Sequence, residues 1–136
     1  MTPLLIGIGG GIVLILLFIL LKQFDKTLVY ALVLSGIGFI YVGFTWTNLQ
    51  DLIISSVQAI FFLMLAYFGT KRSIYILAAG YFLHGAWDIA YTFYSSSKLA
   101  PPQYDIFCLS IDFTIGFYIL AIGFRNSKNK SVVYQP

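Results

Sequence analysis

Tyr81-Phe82-Leu83-His84-Gly85-Ala86-Trp87-Asp88-Ile89-Ala90-Tyr91 is the stretch on which the fold is decided. A histidine and an aspartate four residues apart share one face of a helix. They interrupt a run, residues 73–94, that is otherwise apolar or aromatic apart from Ser73 and Thr92. That run has the length a helix needs to cross a hydrocarbon core of about 30 Å, at about 1.5 Å per residue. Four more runs of similar length lie at residues 3–21, 27–47, 52–70 and 106–124, separated by short polar breaks. A membrane barrel would instead show alternating segments of about ten residues. The pattern predicts an all-α membrane protein, a five-helix transmembrane bundle.

Composition points the same way. Of 136 residues, 60% are hydrophobic and 10% are charged, and the mean hydropathy is +0.89. A soluble domain carries about 25% charged residues, so this chain has too little polar surface to cover a water-soluble globule. We expect one integral membrane domain over residues 1–136, in contact with the lipid bilayer. The first run lacks a basic leader, is long for a signal core and has no A-x-A site after it, so it is expected to remain as the first helix. Nucleic-acid binding is not expected, because no basic stripe accompanies a docking element. Cys108 is the sole cysteine, which excludes an intrachain disulfide. Glutamate is absent, leaving Asp25, Asp51, Asp88, Asp105 and Asp112 as the acidic residues.

The breaks set the expected topology. Lys22, Lys26, Lys71, Arg72, Arg125, Lys128 and Lys130 fall on one side of such a bundle, and Lys98 on the other. This asymmetry predicts an extracytoplasmic N-terminus and a cytoplasmic C-terminus in the cell membrane. The basic tail after Phe124 reads as cytoplasmic anchoring in preference to a specific site for anionic lipid. Gly69 is placed to end the third helix and Asp105 to cap the fifth. Gly7 and Gly11, and Gly36 and Gly43, are spaced for close helix packing, within the chain in preference to between chains.

Candidate chemistry lies in the outer half. Asp88, Asp112, Gln58 and Tyr41 each fall about 9–10 Å below the outer helix ends, and His84 about 15 Å below. Cys108 shares a face with Asp112. The expected site is a polar cavity open to the outside, lined by Tyr41, Gln58, His84, Asp88, Cys108 and Asp112, with Trp87 beside it. Residues 95–105, with Pro101 and Pro102, would form its rim. An intramembrane aspartate costs several kcal/mol unless paired, protonated or wet. His84 is the natural partner for Asp88 or Asp112. The bland alternative is a hydrogen-bonded clamp between helices, which contributes only about 0.6 kcal/mol on average in membrane proteins. His84, Asp88 and Asp112 are the catalytic candidates and also the candidate metal ligands. One histidine and no C-x-x-C pair make a thin ligand set, so no metal or other cofactor is expected.

The order His84, Trp87, Asp88, then Pro101 and Pro102, then Cys108 and Asp112 resembles an uncharacterised family of small bacterial multi-pass membrane proteins with the pattern H-x-x-W-D, a proline loop and C-x-x-x-D. The resemblance covers residues 80–120 and implies a fold and a motif but no activity. Members often carry further polar residues where this chain has Ile89-Ala90-Tyr91-Thr92, which argues against a multi-histidine site. The resemblance implies the inner membrane of a bacterium.

Three functions fit these residues. The first is a cavity that binds a small solute, an ion or a lipid, with permeation requiring a homo-oligomer. The second is an intramembrane acid/base enzyme acting on a lipid or isoprenoid. The third is a structural or accessory membrane subunit.

Overall fold

A computed structural model of the chain describes residues 1–21, 25–94 and 102–133, with side chains to Phe93 and then from Pro102 to Ser127. The described residues are helical apart from short caps and turns: α1 (Thr2–Leu20), α2 (Lys26–Gly38), α3 (Ile40–Thr45), α4 (Leu49–Lys71), α5 (Ile74–Tyr94) and α6 (Tyr104–Val133). The protein is therefore all-α. Four stretches are long and apolar enough to cross a membrane: α1, α2 with α3, α4, and Tyr104–Ser127 of α6. The fifth expected run, α5, has the length at 21 residues but not the apolarity. Its face carries His84, Asp88 and several tyrosines, and it is packed between α2, α4 and α6.

Each inner helix buries a stripe at steps of three or four. On α5 the buried stripe is Leu77, Tyr81, His84, Asp88 and Tyr91, and on α4 it is Asp51, Ser55, Gln58, Phe62, Ala66 and Gly69. This is the spacing of left-handed bundle packing. The stripes divide the interior in two. One half is a core of Tyr30, Leu34, Phe62, Leu77, Tyr81, Ile115 and Ile119. There the Tyr81 hydroxyl donates to the Tyr30 carbonyl at 2.7 Å. The other half holds Asp51, Ser55, Gln58, His84, Asp88 and Asp112. Large apolar side chains such as Leu5, Val13, Leu32, Val57, Phe93 and Phe117 point outward. Such an outward apolar surface suits lipid contact and would be costly in water.

Helix α1 packs parallel to α6. A Cβ on Gly7 would collide with Ser110, and one on Gly11 would meet Thr114 at 3.0 Å, so both contacts advance in the same chain direction. The Gly7/Gly11 pair is thus spent on packing within the chain. Gly36 and Gly43 are different: among the described residues, a Cβ added at either would meet no packed neighbour within 4 Å, so the expected close packing is not found there. Gly38 takes that role, with Phe62 Cβ 3.3 Å away.

Several boundaries also differ from expectation. The second span is interrupted at Phe39, whose amide donates to the Gly36 and Ile37 carbonyls. Two glycines just before Phe39 make the backbone easy to kink. Gly69 does not end its helix; it stays helical and lets α4 approach Leu77 at the start of α5. Helix α6 begins at Tyr104, so Asp105 lies inside its first turn, where it accepts from the Ile106 amide at 2.9 Å. It also runs past residue 124, because no glycine or proline stops it before the end of the described residues.

Candidate functional site

The polar half of the interior centres on three side chains. His84 and Asp88 stand one turn apart on the buried stripe of α5, and Asp112 faces them from α6. His84 Nδ1 is 2.8 Å from Asp112 Oδ2 and 3.5 Å from Asp88 Oδ2. One ligand atom from each of the three residues lies within 4.8 Å of the others. None reaches solvent: His84, Asp88 and Asp112 are 2%, 0% and 2% exposed. Close approach of the two helices is permitted by Gly85 and Gly116, where a Cβ would press on Phe113 at 3.2 Å and on Phe82 at 3.0 Å.

Hydrogen bonding within the cluster is incomplete. One imidazole N–H serves Asp112, while both carboxyl oxygens of Asp88 and the Nε2 of His84 have no hydrogen-bond partner among the described residues. Phe62 packs edge-on against the His84 ring at 4.8 Å. A single imidazolium can balance one carboxylate. The second carboxyl therefore calls for a further positive charge, a proton or a cation, because an unbalanced buried charge is expensive.

Beside the cluster is a cavity of about 210 Å³, whose accessible lining is almost wholly apolar and not polar as expected. Tyr41, His84, Asp88, Cys108 and Asp112 all line it, brought there by α3, α5 and α6. Apolar side chains of α1 and α2, including Leu14, Val33 and Ile37, form the rest of its wall. The Tyr41 ring packs on Tyr91 at 4.4 Å, and the Tyr91 hydroxyl has no partner among the described residues.

Gln58 and Trp87 lie elsewhere. Both line a neighbouring apolar groove of about 630 Å³ between α4 and α5. With its nitrogen turned toward them, the Gln58 amide donates to the carbonyls of Ser55 and Gly38, each at 3.2 Å. It thus satisfies backbone next to the interruption at Phe39. Of the expected rim, residues 95–101 fall outside the described residues; Pro102 is exposed. Tyr104 is a further wall residue, outside the set expected from the sequence. Its spacing contained the signal, since Tyr104, Cys108 and Asp112 follow each other at steps of four on one helix face.

Together these features define an all-helical protein, with four helices long and apolar enough to cross a membrane, built around a buried His–Asp–Asp cluster. The chain belongs to the family described as "Family of unknown function (DUF6010)", which matches residues 2–125. No curated protein and no solved structure matches it.

Proposed function

We propose that this chain is a five-span membrane protein, with its N-terminus outside and its C-terminus in the cytoplasm, that holds a cation at His84, Asp88 and Asp112. We place it in the cell membrane, and the resemblance argues for the inner membrane of a bacterium. The observation that carries the reading is Asp88: fully buried, 3.5 Å from a His84 nitrogen that is already hydrogen-bonded to Asp112, and with neither carboxyl oxygen hydrogen-bonded among the described residues. Folding alone gains little from such a residue, since a buried carboxyl costs several kcal/mol while interhelical hydrogen bonds return about 0.6 kcal/mol on average.

The donor set favours a divalent first-row metal. Imidazole nitrogen with carboxylate oxygen suits Zn²⁺ or Mn²⁺, and three protein ligands leave a position open. That position would face the cavity of about 210 Å³, where Tyr41 and Cys108 wait at the wall. The test is metal analysis and calorimetric titration of the purified full chain with Zn²⁺, beside Asp88→Asn, Asp112→Asn and His84→Ala. We expect one Zn²⁺ per chain, and none in the variants. If Zn²⁺ does not bind, the cation is a proton, and dicyclohexylcarbodiimide, which modifies protonated intramembrane carboxyls, should then label Asp88. A chain that neither binds Zn²⁺ nor reacts there overturns the proposal.

A second reading is an acid/base enzyme acting on a lipid or isoprenoid. The groove of about 630 Å³ favours it, because Phe62 both lines that groove and packs on His84. Lipid density or a retained prenyl lipid in the groove, lost in Phe62→Trp, would support catalysis. If neither cation nor lipid is found, the structural-subunit reading stands.

A further inference from the structure

At the opposite end of the bundle lies a second cavity, of about 390 Å³, which the cation site does not involve. It sits where the starts of α2 and α5 meet the later part of α6. Lys26 and Arg125 contribute cations from two different helices, and Thr27 and Asn126 stand beside them. Its inner wall includes Tyr30, which is 2% exposed and ends in a hydroxyl with no partner among the described residues. Tyr118, also in the wall, packs on the Tyr30 ring at 6.0 Å.

Charge around this cavity is lopsided. Lys71 and Arg72 precede Ile74, another wall residue, and add to the positive potential. The described acid at this end is Asp25, which caps α2 by accepting from the Thr27 and Leu28 amides at 2.8 and 3.3 Å. Those amides are therefore taken, and attraction for an anion falls to the side chains. An arginine fork, an ammonium, hydroxyls and an amide make a donor shell for a tetrahedral oxyanion.

We propose that this cavity binds a phosphate-bearing anion. Its position suits the headgroup of an anionic lipid. In the orientation the basic residues favour, it lies at the level of the inner-leaflet headgroups. Leu28, Tyr75 and Phe124 are exposed nearby and offer an apolar track for acyl chains. Free phosphate shares the chemistry without needing that track.

The test uses the full chain in neutral detergent, with native mass spectrometry reading retained dioleoylphosphatidylglycerol against zwitterionic dioleoylphosphatidylcholine. We expect the anionic lipid to be retained at least about tenfold better. Lys26→Gln and Arg125→Gln should each weaken retention about fivefold, the effect of about 1 kcal/mol per basic residue, and the double variant should lose the preference. Both side chains are exposed, so these variants keep the fold, which circular dichroism checks. Tyr30→Phe should weaken retention without abolishing it. If millimolar inorganic phosphate displaces the lipid, a free phosphate suffices; if it does not, the lipid is the ligand, and either result supports the site. Equal retention of the two lipids, or an unchanged preference in the double variant, overturns the proposal.

Discussion

His84 Nδ1 lies 2.8 Å from Asp112 Oδ2, a single bond that joins α5 to α6 deep in the interior. Asp88 sits 3.5 Å from the same nitrogen and completes no hydrogen bond with it. The two aspartates are thus alike in burial and unlike in what they contribute. Asp112 is part of the packing, whereas Asp88 is a buried carboxyl that costs free energy and returns no hydrogen bond among the described residues.

That asymmetry predicts opposite effects on stability. Asp112→Ala strands a buried imidazole N–H and should destabilise the protein by about 1–3 kcal/mol. Asp88→Asn keeps the shape of a side chain that makes no hydrogen bond among the described residues and alters only a 3.5 Å contact with His84, so stability should change by less than about 0.5 kcal/mol or increase. Thermal or denaturant unfolding followed by circular dichroism in detergent gives both numbers. Equal losses from the two variants would make the cluster a helix clamp.

Cation binding should depend on pH with a defined sign. Metal binds the deprotonated forms of imidazole and carboxylate, so each bound Zn²⁺ competes with protons. Affinity should therefore fall as pH falls, by about tenfold per pH unit for each proton displaced. Calorimetry in two buffers of different ionisation enthalpy measures the proton release directly. An affinity that does not vary between pH 7.5 and 5.5 would place the metal on other residues.

Glycines at equivalent-looking spacings should respond differently. Gly7→Leu drives a side chain into Ser110 and Phe107 and should detach α1 from α6. Gly36→Ala and Gly43→Ala meet open space and remove glycine from a helix, so each should stabilise by up to about 1 kcal/mol. Melting temperatures of the three variants separate these outcomes. A tolerated Gly7→Leu would mean that α1 does not rest on α6 as described.

Much of this was legible in the sequence, for physical reasons that differ from residue to residue. Long apolar runs fixed the helices, because a bilayer-length helix leaves an unmistakable composition. His84, Asp88, Cys108 and Asp112 were legible as a group, since spacings of four put them on two facing stripes and polar residues are rare in such runs. Gln58 was misplaced because depth alone does not fix rotation about the helix axis: it lies beside the backbone interruption at Phe39, around the stripe from the cavity. That interruption was itself hidden, since Gly36 and Gly38 permit a kink without requiring one. The cavity at Lys26, Tyr30 and Arg125 escaped notice because its parts come from residues about a hundred positions apart that look like ordinary helix ends. Gln58→Leu should expose the difference: it should cost about 1–2 kcal/mol through the loss of the amide's bond to the Gly38 carbonyl at the end of α2 and leave Zn²⁺ binding intact.

Parallel packing of α1 on α6 makes the topology testable apart from its orientation. Thr2 and Gln103 must emerge on one side of the membrane, because α1 and α6 start together, and Lys71 and Ser127 on the other. In a Cys108→Ala background, single cysteines at these four exposed positions can be probed with a membrane-impermeant maleimide. Thr2→Cys and Gln103→Cys should react in intact cells, and Lys71→Cys and Ser127→Cys only after the membrane is opened. If Thr2 and Gln103 label on opposite sides, the parallel contact and the five-span reading both fail. If the pairs stay together but exchange sides, the fold stands and the positive-inside argument does not. The His84–Asp88–Asp112 cluster would then lie nearer the cytoplasm, and the Lys26–Arg125 cavity would meet the outer leaflet instead.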